Sequence, residues 1–132
     1  KNAVVVRFAG IYGGRRSRLI TRVINGDYKK SYAKFTNRIH EEDCSNFLVH
    51  LGNLKNPEPL YIGVDMEPSR EADVLDFIAR RLELPLLPAR CYEPEHDVGK
   101  RCNNTRLLKT GYQLKYRNFR DGYEQLIKTR SS

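Results

Sequence analysis

Residues 3–9, Ala3-Val4-Val5-Val6-Arg7-Phe8-Ala9, form a nearly continuous apolar run rich in valine, the pattern of a strand buried on both faces. Gly10, Gly13 and Gly14 break it within a few residues. Leu19, Ile20, Val23 and Ile24 then recur at helical spacing, with Ser17 placed to cap that helix and Asn25-Gly26-Asp27 placed to end it. An extended segment over 32–39 leads to a second helix whose stripe is Cys44, Phe47, Leu48, Leu51 and Leu54. Its first turn holds Glu41, Glu42 and Asp43, favoured by the positive end of the helix dipole. Asn56-Pro57-Glu58-Pro59 stops it.

Leu60 to Val64 reads as a second buried strand. Pro68-Ser69 is placed to cap a third helix carrying Val74, Leu75, Ile78, Ala79 and Leu82, which Pro85 and Pro88 end. Residues 88–101 are polar and turn-rich. Asn103-Asn104-Thr105 opens a short helix closed by Gly111, residues 113–116 read as a brief strand, and 119–128 as a last helix. The alternation of strand and helix predicts an α/β or α+β fold, without internal repeats. Two parallel buried strands do not close a sheet: each needs neighbours at its edges and cover on its faces. An incomplete sheet is therefore expected, with companions outside these residues. A strand that starts at residue 4 without lead-in points the same way.

With 132 residues, 39% hydrophobic and 30% charged, the chain fits one domain with a modest core and is too apolar for disorder. No apolar run approaches the roughly 18 residues of a membrane span, and the N-terminus offers a strand rather than a signal peptide; a cytoplasmic location is expected. Cys44, Cys91 and Cys102 form neither a C-x-x-C nor a Cys/His ligand pattern, so reduced structural thiols are expected and no metal site.

The net charge of +8 raises nucleic acid as a partner. Two clusters contribute: Arg15-Arg16-Ser17-Arg18, and Tyr28-Lys29-Lys30-Ser31-Tyr32-Ala33-Lys34, where tyrosines interleave with lysines as on single-strand stacking surfaces. The alternatives are a solvated helix and hairpin face, or a basic rim facing a phosphate-bearing small molecule. No RNP, KH or helix-turn-helix pattern supports nucleic acid, which is disfavoured.

Three segments then stand in order: Arg7-Phe8-Ala9-Gly10-Ile11-Tyr12-Gly13; Asn37-Arg38-Ile39-His40 with Asp43; and Lys100-Arg101-Cys102-Asn103-Asn104-Thr105-Arg106-Leu107 followed by Gly111-Tyr112 to Tyr116. Over essentially the whole chain this series resembles the C-terminal half of an NAD-dependent epimerase/dehydratase, in the extended branch of the short-chain dehydrogenase/reductase superfamily. Phe119-Arg120-Asp121-Gly122-Tyr123 fits the closing helix of such proteins.

The resemblance implies the substrate-side portion of a Rossmann-like oxidoreductase acting on a nucleotide sugar, with few parallel strands, flanking helices and the N-terminal dinucleotide-binding half absent. NAD or NADP would serve the intact protein and is not expected to bind tightly to this chain alone. A homo-oligomer is compatible with the resemblance. The family's G-x-x-G-x-x-G turn is missing, because Gly10-x-x-Gly13-Gly14 has neither its spacing nor its place. The Tyr-x-x-x-Lys pair is missing too, so no catalytic residue is assigned. Two positions depart from the family pattern: Gly14 stands where proline is frequent, which frees the loop, and Glu41 follows the histidine where an apolar residue is usual.

By resemblance, Ala9, Gly10 and Ile11 would lie beside a nicotinamide ring, with backbone groups meeting its carboxamide; the alternative is a tight strand-to-helix turn. Gly13 belongs to the same loop on the substrate side. Arg15 and Arg16 precede a helix, where guanidinium groups suit a diphosphate; solvated arginines are the alternative. Arg38 would reach a phosphate or, more often, pair with Asp43. His40 would make a structural hydrogen bond or a substrate contact at the pocket wall, and lacks the second histidine a metal site needs. Tyr12 is expected to pack beneath the pocket with its hydroxyl partnered. His50 and His96 read as surface residues. Two other functions stay open, a small basic nucleic-acid-binding module and a catalytically idle relative used for partner binding.

Overall fold

The computed structural model describes residues 3–89 and 95–131. The valine run becomes two strands rather than one: β1 (Val5–Phe8) and β2 (Gly10–Tyr12). β1 pairs in parallel with β5 (Leu60–Gly63) in the register Val5↔Leu60 to Phe8↔Gly63. The Ala9 amide completes that ladder on the Gly63 carbonyl at 2.9 Å. The chain then changes neighbour, and β2 runs parallel to β4 (Arg38–His40), placing Gly10 opposite Arg38 and Tyr12 opposite His40. Gly10 suits this switch, since a Cβ there would stand 3.2 Å from the Asn37 carbonyl oxygen.

α1 (Arg18–Asn25) follows the glycine turn, preceded by Ser17, whose side chain makes no capping bond, and closed by Gly26 at φ 67°. Ile20 and Val23 enter the core, each burial worth about 1.5–3 kcal/mol. β3 (Phe35–Thr36) pairs antiparallel with β6 (Ser69–Arg70). Ser69 is thus a strand residue and not the predicted cap; Arg70 holds the N-cap position of α3 (Glu71–Arg81). α3 ends at Leu82, before either proline. α2 (Glu41–Gly52) follows β4 directly, and Asn104 precedes α4 (Thr105–Lys109). α5 is Phe119–Ser131.

Residues 113–116 are not a strand. The amides of Lys115 and Tyr116 donate to the Asp43 carboxylate at 2.8 and 3.0 Å, so they have no need of a neighbouring strand. The Tyr28–Lys34 cluster is not a stacking surface either. Lys30 is buried at 2.5 Å from Asp76, and the Tyr32 hydroxyl donates to the same carboxylate at 3.1 Å. Burial works against the Lys30 charge, but Asp76 and Tyr32 outweigh it and raise its pKa.

The main core lies between α1, α3 and α5, built from Ile20, Val23, Leu75, Ile78, Phe119 and Tyr123. A second layer joins α2 to β5 and α4 through Phe47, Tyr61 and Leu107. β1 is less sheltered than its composition predicts, and Val5 is 49% exposed. β5 lies along one edge of β1, and among the described residues no strand lies along the other. The fold is mixed α/β with short parallel pairs and an incomplete sheet. No helix among the described residues is long and apolar enough to cross a membrane.

Candidate functional site

The change of partner at Ala9 sets Gly10, Ile11 and Tyr12 at the back of an open cavity of about 340 Å³. Arg16, Arg18 and Arg22 come to it from the glycine turn and α1, Arg38 from β4, and Tyr123 from α5. No carboxylate lines this cavity. Arg38 is 8% exposed, and one of its guanidinium nitrogens donates to the Thr36 hydroxyl while Nη1 has no partner. Burial pulls its pKa down, and the nearby Tyr123 and Asp65 oppose that pull. The expected ion pair with Asp43 does not form. Asp43 is spent on the Tyr112 hydroxyl at 2.6 Å and on the two amides of the following loop.

Glu41 gives the glycine turn a firmer seat than its composition predicts. Gly13 and Arg16 exchange backbone hydrogen bonds at 3.3 and 3.1 Å, with Gly14 and Arg15 at the tip. The Arg15 amide donates to Glu41 Oε1 at 3.3 Å, and a Cβ on Gly13 would overlap the Glu41 side chain. Arg15 itself lines a second opening, of about 660 Å³, together with Arg16, Glu41, Glu42 and Cys44. Opposite charges meet there, so it is a weaker anion site than the first.

His40 is buried and acts as the N-cap of α2, where its Nδ1 accepts the Glu42 amide at 3.1 Å. Its ring stacks on Tyr116 at 4.0 Å and meets the edge of Tyr12 at 5.2 Å. Burial lowers its pKa, which favours the neutral ring that the cap needs. Tyr12 stacks on Tyr123 at 4.6 Å, but its hydroxyl has no partner, contrary to expectation. Burial first, then Asp65, drives the Tyr12 pKa far above the ordinary phenol range. Asp65 is itself buried with Oδ2 unpartnered.

The cavity thus gathers the predicted Gly10, Ile11, Tyr12, Arg16 and Arg38. Arg15 faces the neighbouring opening, while Ala9, Gly13 and His40 support the walls. Arg22 and Tyr123 were missed. Arg15, Arg18 and Arg22 fall at i, i+3 and i+7, a one-sided basic stripe visible in sequence, whereas nothing local marks Tyr123. His50 is half-buried, its Nε2 2.8 Å from the Thr110 carbonyl oxygen, while His96 is exposed as expected. Cys44 is buried, with burial pushing its thiol up to about 11, and Cys102 is also free. Cys91 lies outside the described residues. Among those residues no cluster of His, Cys, Asp or Glu has the make-up of a metal site.

The backbone donors of the Ala9–Ile11 turn are partly spent, since the Ala9 amide bonds to Gly63 and the Gly10 amide to Asn37 at 3.2 Å. No glycine-rich turn of this chain offers a row of amides to a dinucleotide pyrophosphate. What the turn can offer a flat ring is a wall.

No family model matches the sequence, and no curated protein does. Solved structures do. A Methylobacillus flagellatus protein described as an NAD-dependent epimerase/dehydratase is 33% identical with a TM-score of 0.84; the match covers 98% of this chain and 48% of that one. A conserved Silicibacter pomeroyi protein of unknown function is 30% identical with a TM-score of 0.80, over 97% of this chain and 49% of that one. The Thermotoga maritima UDP-glucose 4-epimerase, solved with UDP-glucose, shares the fold at 13% identity, with a TM-score of 0.74 over 98% of this chain and 47% of that one. The chain spans about half the length of the proteins it matches.

Proposed function

By fold the chain corresponds to one half of an NAD-dependent epimerase/dehydratase, and we propose that it is the substrate-side half, with the arginine-lined cavity as its seat for a nucleotide sugar. The observation that carries this reading is Arg38: a buried guanidinium with a free edge, at the wall of a cavity that holds cations and no acid. A desolvated, unpaired cation is costly, and a diphosphate offers bidentate oxygens that discharge it. The same cavity is bounded by Gly10–Tyr12, the turn where a sugar ring and a nicotinamide would face each other.

In the intact protein a dinucleotide held by another half would exchange hydride with a sugar carbon. This chain would orient the sugar and hold its phosphates, while Tyr12 and Tyr123 form an aromatic floor. The family's tyrosine–lysine pair is absent here, so the acid/base step falls outside these residues.

Isothermal titration of the 132-residue chain tests the assignment. UDP-glucose should bind, and Arg38→Ala should weaken it about ten-fold or more, the worth of a charge-assisted contact. NAD and NADP should show no micromolar binding; tight binding of either would place a dinucleotide site in this chain and overturn the half-enzyme reading. A filter-binding assay with single-stranded RNA should detect no specific complex, which separates this function from a basic nucleic-acid module.

A further inference from the structure

We propose that the cavity is the first of two joined chambers, and that the chain recognises a ligand bearing a second anionic group, a carboxylate or phosphate, apart from its diphosphate. This rests on the reading of the first chamber as a diphosphate seat. The second chamber, about 290 Å³, shares Leu19, Arg22 and Arg38 with the first. Tyr28, Lys29, Lys34 and Thr36 complete its polar wall together with a single acid, Glu71. That acid is already engaged, as Oε1 accepts the Ser31 amide at 2.8 Å and Oε2 lies 3.9 Å from Lys34 Nζ. Cations therefore outnumber available anions on both sides of Arg38.

Two buried polar groups of this chamber have atoms without a partner. Tyr28 and Arg38 are each 8% exposed, and the Tyr28 hydroxyl and Arg38 Nη1 make no hydrogen bond. Neutral sugar hydroxyls are met best by groups that both donate and accept, such as amides and hydroxyls. Here the cationic groups only donate, and the phenol is free to do so. Such a set fits an acceptor with several lone pairs and a negative charge. Arg38, with five donors in a planar fork, has enough edges to serve an anion in each chamber.

The test compares paired ligands by isothermal titration of the whole chain at fixed ionic strength. UDP-glucuronic acid against UDP-glucose examines a carboxylate, and glucose 1,6-bisphosphate against glucose 1-phosphate examines a phosphate. In at least one pair the doubly anionic ligand should bind about ten-fold more tightly. Tyr28→Phe and the Lys29→Ala/Lys34→Ala double variant should shrink that preference to about two-fold, whereas Lys55→Ala/Lys109→Ala, an equal change of charge elsewhere, should keep it. Parity within both pairs removes the second chamber and leaves the diphosphate seat intact. A preference that falls equally in the control double variant reflects bulk charge and also overturns it. Failure of every ligand to bind removes the first chamber as well.

Discussion

Asp65 sits in surroundings hostile to its own charge. It is 2% exposed, Oδ1 accepts the Glu67 amide at 3.0 Å, and Oδ2 has no partner. Burial pushes its carboxyl from 3.8 up to about 7, while the Glu67 amide and Arg38 pull it back and Glu67 and Asp43 add to the rise. The folded state then holds a proton that the unfolded chain has lost, so this group's contribution to stability declines as pH rises from about 4 to about 7. His40 works in the opposite sense: its depressed pKa costs stability as pH falls below its ordinary 6.5. The Asp65 contribution is therefore best read as a difference between two proteins. Urea unfolding of Asp65→Asn and the parent at pH 5 and pH 8 should show the variant gaining about 2 kcal/mol relative to the parent across that range.

Gly122 shows a second kind of constraint at this scale. A Cβ there would sit 1.9 Å from the Tyr12 hydroxyl, inside the aromatic floor of the cavity. Gly122→Ala should cost about 2 kcal/mol or more, read from the urea midpoint, although alanine is the better helix former. In sequence, Gly122 is simply a weak spot in a helical pattern; its meaning depends on which ring crosses above it.

Among the elements, the first turn of α2 carries the most. The acids at its start were legible as helix-dipole partners, yet only one of them takes on a long-range task. Asp43 is fully buried and collects the Tyr112 hydroxyl and the amides of Lys115 and Tyr116. It thereby stitches the 112–116 segment to the helix, and this is why a stretch patterned like a strand does not become one. Asp43→Ala leaves these donors without an acceptor and should cost about 3–5 kcal/mol, with faster hydrogen exchange at the Lys115 and Tyr116 amides as its specific sign. His40 caps the same helix through Nδ1, an assignment that the sequence offered only as one of two jobs. The Pro68-Ser69 pair misled for a related reason: serine is a good cap in isolation, but Ser69 was taken by pairing with Thr36.

At the scale of the whole molecule, β1 has β5 along one edge, and its valines are only partly covered. Val5→Lys should accordingly change the stability of this chain by less than about 0.5 kcal/mol in urea unfolding, a tolerance that a valine buried within a sheet would not show. The apolar run thus told correctly that the strand is made for an interior, and the half-length match to known structures agrees with it. Periodicity, glycine breaks and the order of three short segments were enough for the α/β class, most of the helices and the family resemblance, because these are local properties of the chain.

The cavity depended on something else. Arg22, Arg38 and Tyr123 lie far apart in sequence and meet because β2 leaves β5 for β4 at Ala9 and because α1 and α5 pack on a common core. Whether Arg38 would pair with Asp43 or face an open chamber was likewise a contest among distant partners, and the loop amides won Asp43. Local pattern decides which elements form, since backbone bonding and side-chain spacing act within a few residues. Which charges are left unsatisfied is decided only when the elements pack, since burial and partner choice are properties of the assembled fold.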